Sequence, residues 1–447
     1  MREGSLEAPT RHPLSWQDPD FYNAEKLEAE MRRVFDICHG CRRCFNLCDS
    51  FPRLFDLVDA SKTGEVDGVA SADFKSVVDA CTLCDMCFMT KCPYVPPHQF
   101  NLDFPHLMLR YRALEAKQGR VPLADRALAE TDRNGKLASK VAPLANWAIN
   151  RNHKLPRSVI ERVASLHREA ELPSYAGKTF VARTRESAPA IDKSAPAHGR
   201  KVVLYATCFV NYHDPAVGVA ARAVLAKNGI ETEVVYPRCC GMPLLEQGRI
   251  EEVAENAKAV AGELKEWIER GYDVVALVPS CVLMFKFEWP LILPDNPDVK
   301  RLAGATYDMS EYIVDIAKNE GLAQGLRPLA GGVAVHISCH SRAQNMGQKA
   351  SEMLGLLPET EIQVVERCSG HGGAWGFKKD HFETALKVGR PTARQVGESG
   401  KAFIASECPL AGAHIVQGVE KLAKESPRPT LVTHPVQLLA RAYGLGD

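Results

Sequence analysis

The chain lacks a surplus of charge and lacks any long apolar segment. Its 447 residues hold 55 Lys and Arg against 55 Asp and Glu, a balance that argues against a nucleic-acid surface as its main function. The longest apolar run, residues 274–285, is short and contains Pro279. We therefore expect a buried strand and turn there, and no helix that spans a bilayer.

Signals for nucleotide binding and for secretion are also missing. No GxGxxG follows a predicted strand, no GxxxxGK(S/T) occurs, and the glycine-rich loop at 370–376 does not have the dinucleotide-binding spacing. We therefore expect no flavin in this chain and assign hydride chemistry to another protein. The first sixteen residues have no apolar core of a secretory signal, and fifteen cysteines are too sparse for a disulfide scaffold. The expected location is the reducing cytoplasm, with the inner face of a membrane reached only through a partner.

What the chain does have is cysteine in two regular runs. They read Cys38-x2-Cys41-x2-Cys44-x3-Cys48 and Cys81-x2-Cys84-x2-Cys87-x4-Cys92 followed by Pro93. This is the ligand spacing of a two-cluster ferredoxin, in which three cysteines of each run hold one cubane and the fourth reaches the other. The spacing predicts one [4Fe–4S] cluster on Cys38, Cys41, Cys44 and Cys92, and a second on Cys81, Cys84, Cys87 and Cys48. Structural zinc, which normally uses two CxxC-type pairs, and disulfides fit this spacing less well.

Helical periodicity surrounds these two runs. Four apolar residues share one face of a predicted helix over 23–37, which leads into the first run: Leu27, Met31, Val34 and Phe35. A further helix is predicted over 104–116. We therefore predict an α-helical two-cluster ferredoxin domain at 20–120, followed by a helical connector and linker at 121–199. The end of that segment, residues 187–199, is rich in Pro, Ala and Ser and is expected to pack poorly.

Beyond residue 200 short β-rich runs alternate with helices, which predicts a parallel, doubly wound sheet. Three predicted strands each end at cysteine: 202–206 at Cys208, 231–236 at Cys239-Cys240-Gly241, and 273–278 at Cys281. Ligands of open α/β sheets gather outside the carboxyl ends of strands. We therefore expect these four thiols to meet in one crevice.

The same arrangement then repeats. Predicted strands at 333–338, 361–366 and 402–406 end near Cys339-His340, Cys368-Ser369-Gly370 and Cys408, and the tail at 305–308 matches that at 431–434. The repeat predicts two α/β lobes, at 200–328 and 329–447, whose cysteines face a shared interface. The fold class predicted for the whole chain is thus α+β multidomain, with a helical ferredoxin domain and two repeated parallel-sheet lobes. A buried structural role remains the alternative for any single cysteine.

The segments Cys239-Cys240-Gly241-Met242-Pro243 and Cys368-Ser369-Gly370-His371 resemble the cysteine-rich CCG domain family. A ferredoxin module followed by two such domains resembles three family members: the iron–sulfur subunit of anaerobic glycerol-3-phosphate dehydrogenase, the glycolate oxidase iron–sulfur subunit and the catalytic subunit of heterodisulfide reductase. The resemblance implies a further iron–sulfur cluster, held by a cysteine, the CC pair and a closing CxxC. This chain departs from that pattern, because Met284 and Ala411 stand where the closing motifs would place a second cysteine.

The departure makes the two lobes unequal in ligands. The first retains Cys208, Cys239, Cys240 and Cys281, enough for one cubane, whereas the second retains only Cys339, Cys368 and Cys408. Ser369 replaces the missing thiol. A complete cluster there needs a non-thiolate ligand, for which His340 and His371 are the candidates because imidazole replaces thiolate at iron in Rieske centres. Alternatively, these residues form an open redox or substrate site, or the histidines are satisfied core residues.

Three functions are compatible with this pattern. The first is an electron-transfer subunit that passes electrons from a flavin-dependent dehydrogenase, with a flavoprotein as partner, to a quinone or redox-protein acceptor. The second, implied by the heterodisulfide reductase resemblance, is an enzyme that reduces a disulfide at the CCG site. The third is an iron–sulfur redox sensor, against which the number of cysteine ligands argues. No nucleic-acid partner is expected.

Overall fold

The structure, a computed structural model, describes residues 9–422 and 432–445. Helices form the N-terminal region and the connector, and two α/β units follow them. None of the helices in the described ranges combines the length and the apolarity needed to cross a membrane. The expected tail at 431–434 lies partly outside these ranges, because Leu431 is not described.

Four α-helices build the N-terminal region: α1 Ala24–Cys41, α2 Ser50–Asp59, α3 Phe74–Ala80 and α4 Phe104–Lys117. The predicted apolar face of α1 is buried, as expected from its spacing. Aromatic rings join the four helices into one core, with Phe35 and Phe74 centroids 5.0 Å apart and Phe51 and Phe104 centroids 4.7 Å apart. A π-helical turn spans Cys87–Lys91. The core thus holds in place the loops that carry both cysteine runs.

The connector consists of five shorter helices. They are α5 Leu123–Ala129, α6 Thr131–Lys140, α7 Ala142–Ile149, α8 Lys154–Ala164 and α9 Phe180–Thr184. Most of the segment at 187–199 is exposed, as expected, but two of its residues pack against the first lobe. Ala195 and Ala197 are buried because their side chains are small, and Asp192 anchors the segment through an ion pair with Lys227 at 2.9 Å.

The first lobe contains a parallel sheet of four strands, ordered β2-β1-β3-β4. The strands are β1 Lys201–Tyr205, β2 Glu231–Val235, β3 Asp273–Ala276 and β4 Thr306–Asp308. The helices are α10 Cys208–Tyr212, α11 Pro215–Lys227, α12 Met242–Leu245, α13 Ile250–Glu269, α14 Pro279–Leu283, α15 Trp289–Ile292, α16 Pro297–Ala305 and α17 Met309–Asn319. A helix, α14, therefore follows β3 where the sequence predicted a turn.

The second lobe repeats the sheet with the order β6-β5-β7-β8. Its strands are β5 Val333–His336, β6 Ile362–Val365, β7 Phe403–Ser406 and β8 Val432–Thr433. Its helices are α18 Cys339–Ala343, α19 Lys349–Leu354, α20 Phe382–Gly397, α21 Pro409–Leu422 and α22 Pro435–Ala442. The two identical strand orders confirm the predicted parallel sheets and their repetition.

The two lobes share one apolar core. A single cluster of buried side chains contains Leu204 and Val275 of the first sheet together with Val335, Ala405 and Leu439 of the second lobe. The cysteine-bearing helices α14 and α18 also contact each other. Because the core is continuous, the carboxyl ends of both sheets are held close together.

Candidate metal centres and their cavity

The first N-terminal group of thiols gathers around the end of α1. Cys38 and Cys41 lie in its last turn, Cys44 follows in the next turn, and Cys92 comes directly after the π-helical turn. Burial raises the pKa of Cys38, and the negative charges of Cys92, Cys44 and Cys41 raise it further. Charge interactions of this kind need proximity. The structure therefore brings Cys92 to the first run, as the crossing pattern predicts; cluster binding itself stays a prediction.

The second group forms around the loop between Cys81 and Cys87. Burial raises the pKa of Cys48, and the negative charges of Cys84 and Cys81 raise it further. Cys48 therefore lies with the second run rather than the first. Leu83 and Asp85 adopt left-handed backbone conformations, with φ of 48° and 62°. These two residues let the loop turn tightly enough to present its thiols on one side.

Two arginines that sequence reasoning missed hold this loop in place. Arg112 donates hydrogen bonds to the carbonyl oxygens of Cys81 and, at 2.9 Å, of Glu246. Arg11 is paired with Asp85 at 2.9 Å and with Glu288 at 3.0 Å. Both side chains thus join the cysteine loop to the first lobe. Nothing in the sequence indicates these contacts, because the partners are distant along the chain.

In the first lobe four thiols form a continuous series. Cys208 opens α10, Cys239 and Cys240 follow β2, and Cys281 lies in α14. The Sγ atoms of Cys208 and Cys239 are 3.8 Å apart. Contacts with the side chains of Cys208 and Cys240 lower the pKa of Cys239. Cys240 in turn contacts Cys281. The same contacts raise the pKa of Cys208 and of Cys240, so the thiolate form that a metal requires is favoured at Cys239 rather than at these two neighbours.

The backbone of this site is held by neighbouring polar groups. The Cys239 N–H donates to Asp132 Oδ2 at 2.8 Å, and Trp289 Nε1 donates to the Cys240 carbonyl at 3.2 Å. Gly241 has φ of 85°, a left-handed conformation that glycine adopts without strain. Asp132 belongs to the connector, where the sequence shows no recognisable motif. The connector is therefore part of the first site.

In the second lobe three thiols lie together beside the N-terminal region. Burial raises the pKa of Cys339, and the charges of Cys84, Cys368 and Cys408 raise it further. Burial, together with the negative charge of Cys368, raises the pKa of Cys84 to about 12. One thiol of the second N-terminal group thus approaches the thiols of the second lobe. This proximity was not predicted from the sequence.

The two candidate histidines lie in the same place. His340 Nδ1 and Ser280 Oγ are 2.8 Å apart, while His340 Nε2 and His371 Nδ1 are buried without a hydrogen-bond partner among the described residues. Burial lowers the pKa of His371 to about 3, so its ring is neutral and able to bind a metal. Ser369 is buried and its hydroxyl accepts from the His371 N–H at 3.4 Å. The unpaired ring nitrogens fit a ligand role at this site.

All three regions open into one cavity of about 1060 Å³. Its cysteines are Cys48, Cys84, Cys208, Cys239, Cys240, Cys281, Cys339, Cys368 and Cys408, and His340, His371, Glu246 and Ala411 also line it. Met284, by contrast, is buried in the core. Neither Met284 nor Ala411, which stand where a closing CxxC would place its second cysteine, therefore supplies a thiol to the cavity. In the described ranges no three His, Cys, Asp or Glu side chains are placed to hold a single metal ion.

Comparisons with known proteins show which family the chain resembles. The family model of the cysteine-rich (CCG) domain matches residues 202–286 and 333–415. The chain is 26% identical over 326 residues to a subunit of the anaerobic glycerol-3-phosphate dehydrogenase of Escherichia coli K12, covering 72% of this chain and 78% of the relative. It is 30% identical over 188 residues to lactate utilization protein A of Bacillus cytotoxicus, covering 40% of this chain and 75% of the relative. The chain therefore belongs to the CCG-domain family of iron–sulfur oxidoreductases.

Proposed function

We propose that this chain is an electron-transfer subunit that passes electrons from a flavoprotein dehydrogenase to a quinone or redox-protein acceptor. The observation that carries the proposal is the common cavity, where thiols of the N-terminal region and of both lobes meet. Similarity to a component of anaerobic glycerol-3-phosphate dehydrogenase supports a flavoprotein partner of that kind. We place the chain at the inner face of a membrane, a position that accords with a quinone acceptor.

The residues that would hold iron–sulfur clusters follow from the thiol groups described above. Two [4Fe–4S] clusters are assigned to the N-terminal region, the first to Cys38, Cys41, Cys44 and Cys92 and the second to Cys48, Cys81, Cys84 and Cys87. A third site is assigned to Cys208, Cys239, Cys240 and Cys281. Bound clusters supply one-electron carriers, which a flavin needs in order to hand on the two electrons of a substrate oxidation.

The protein's own residues would then shape the acceptor end. The second lobe presents three thiols and two unpaired imidazole nitrogens to the cavity, close to Cys84. Its ligand set differs from that of the first lobe, because Ser369 stands in the place of Cys240. We assign this lobe to the acceptor because imidazole or an exchangeable ligand leaves a metal corner more open than a fourth thiolate does.

The experiment is anaerobic purification from the native host followed by identification of the flavoprotein that co-purifies. The isolated complex is reduced with the partner's substrate and reoxidised with a water-soluble quinone. We expect Cys240→Ser to abolish reoxidation while the N-terminal cluster signals still become reduced. A chain that co-purifies with no flavoprotein, or a Cys240→Ser complex that is reoxidised at the normal rate, would contradict the proposal.

The ligand set of the second lobe favours one second candidate. Its three thiols and the neutral ring of His371 line the cavity without forming a four-thiol set, and such a site also admits a disulfide substrate. Disulfide-dependent reoxidation of the reduced complex, with no activity towards the quinone, would favour that function over the first.

A further inference from the structure

The outer face of the connector exposes an unusual concentration of large apolar side chains. Sixteen such side chains are exposed in the described part of the chain, and eight of them lie between residues 123 and 163. The eight are Leu123, Leu137, Val141, Leu144, Trp147, Leu155, Val159 and Val163. Scattered exposed apolar residues are ordinary, but a contiguous group marks an interaction surface.

Helix α8 carries its apolar residues on the outside. Leu155, Val159 and Val163 follow each other at intervals of four, so they share one helix face, and they are 83%, 62% and 72% exposed. The opposite face buries the polar residues Arg157 and Glu161. Such an inverted helix is unfavourable in water unless something covers its outer face.

The inward polar residues of α8 make several hydrogen bonds and an ion pair. Arg157 donates to the carbonyl oxygens of His167 at 2.6 Å and of Ala170 at 2.9 Å. The Glu161 carboxylate is paired with Arg168. These contacts fix the rotation of α8, so the apolar residues cannot turn inward without breaking them.

Helices α6 and α7 extend the same surface. Leu137 lies in α6, Val141 directly follows it, and Leu144 and Trp147 lie on α7, which contacts both α6 and α8. The Trp147 ring packs against the ring of His153 at 5.4 Å, directly before α8. We call the combined surface the apolar face; it consists of Leu137, Val141, Leu144, Trp147, Leu155, Val159 and Val163.

The charges around the apolar face are positive. Exposed basic residues on the same helices are Arg133, Lys136, Lys140, Lys154 and Arg162. Among the described residues none of these five has a carboxylate within ion-pair distance. Three of the four acidic residues of segment 121–164 are paired with other cations: Asp125 with Lys378, Glu130 with Arg249, and Glu161 with Arg168. The fourth, Asp132, accepts a hydrogen bond from Tyr236 and interacts with the charge of Lys136. The surface therefore offers apolar side chains together with an excess of positive charge.

We propose that the apolar face docks the chain directly onto an anionic lipid surface. Helices with an apolar side, basic residues beside it and tryptophan at the boundary lie in the plane of a membrane interface, and each basic residue adds attraction to anionic lipid. Ile149 of α7 and Ile160 of α8 line the cavity from the inner side of the same helices. Docking would thus bring the cavity next to the lipid. Docking of this kind does not depend on which acceptor the chain uses.

The test is flotation of the full, anaerobically purified chain with vesicles. Vesicles of phosphatidylcholine with about one third phosphatidylglycerol are compared with vesicles of phosphatidylcholine alone, at low and high salt. We expect binding to the anionic vesicles, weakened by salt. The triple variant Leu155→Gln/Val159→Gln/Val163→Gln should lose at least tenfold in affinity. Val219→Gln, a substitution of an exposed apolar residue (47%) on α11, is the matched control and should bind normally.

Folding of the variants is checked independently. All three positions of the triple variant are exposed, so its circular dichroism and cluster absorbance should match those of the parent chain; if they do not, the single variant Leu155→Gln replaces it. Failure of the parent chain to bind anionic vesicles would overturn the proposal. So would equal binding by the parent and the triple variant, or a concentration-dependent dimer that the triple variant dissolves, which would make the face a contact between copies.

Discussion

The two lobes share a scaffold but present different donors to the cavity. Their strand orders are the same, and Cys208 and Cys339 each open the helix that follows the first strand. The difference lies at Cys240 and its counterpart Ser369. The first lobe continues there into a short helix, the second into a glycine-rich loop. The fold thus preserves the position of a side chain while its chemistry changes.

The two sites also have different neighbours. The first lobe's thiols lie against the connector, where the Asp132 carboxylate accepts from the Cys239 N–H. The second lobe's thiols lie beside Cys84. If the lobes are chemically unequal, substitutions at matched positions should therefore have unequal effects.

The largest contrast is expected between Cys240→Ser and Cys368→Ser. The first removes a central thiol of a four-thiol series and should abolish one cluster signal in electron paramagnetic resonance, with the N-terminal signals intact. The second should reduce turnover with the native partner more than it reduces iron content. Equal loss of about four irons in both variants would show that the lobes are equivalent cluster sites.

The N-terminal groups provide the reference for that comparison. Cys48→Ser and Cys92→Ser each remove the crossing ligand of one group, so each variant should lose one N-terminal cluster signal and leave the signals of the lobes unchanged. Iron and sulfide assays of the full chain measure the loss. A parent chain with one N-terminal cluster, and no loss in either variant, would contradict the crossing assignment.

Ser369→Cys should make the second lobe more like the first. Ser369 is buried beside the cavity, and cysteine is nearly isosteric with serine, so the fold should tolerate the change. We expect added iron on anaerobic reconstitution and slower turnover, because a fourth thiolate closes the site. Unchanged iron content together with unchanged turnover would mean that this position does not distinguish the lobes.

Alanine substitutions at the matched glycines Gly241 and Gly370 should lower the free energy of unfolding by different amounts. An alanine Cβ at position 370 would lie 2.0 Å from the carbonyl oxygen of Ala385, whereas at position 241 its nearest contact is Val253 at 3.4 Å. Both glycines have positive φ. Gly241→Ala should therefore cost about 1 kcal/mol of unfolding free energy, and Gly370→Ala about 3 kcal/mol or more. Chemical denaturation measures both, and equal costs would contradict the tighter packing of the second loop.

The smallest effect is expected from Glu246→Gln. This side chain projects from the first lobe towards Gly373 of the second, and burial raises its pKa to about 7. Because the folded state then holds the proton more tightly than the unfolded state, its contribution to stability falls as pH rises from about 4.5 to about 7. The variant should be less sensitive to pH, with a melting temperature on the order of 1–2 °C above the parent at pH 8. Parallel pH profiles would exclude this role.

Sequence patterns predicted the features that depend on local order. The strand ends at Cys208, Cys239 and Cys281 followed from β-rich runs, and the repeat followed from their spacing. The roles of Arg11 and Asp132 did not, because contacts between distant segments leave no local pattern. The packing of 187–199 was missed for a related reason: Ala195 is small enough to be buried without a strongly apolar sequence. The outward face of α8 also needed the structure, since periodicity cannot tell which side of a helix meets solvent.

The inequality of the lobes can be tested most directly by diffraction at the iron absorption edge, using anaerobically grown crystals. We expect anomalous peaks at the two N-terminal thiol groups and a third peak of similar size at Cys208, Cys239, Cys240 and Cys281. No equal peak is expected at Cys339, Cys368 and Cys408. Peaks of equal size in both lobes would show that the lobes are chemically equivalent.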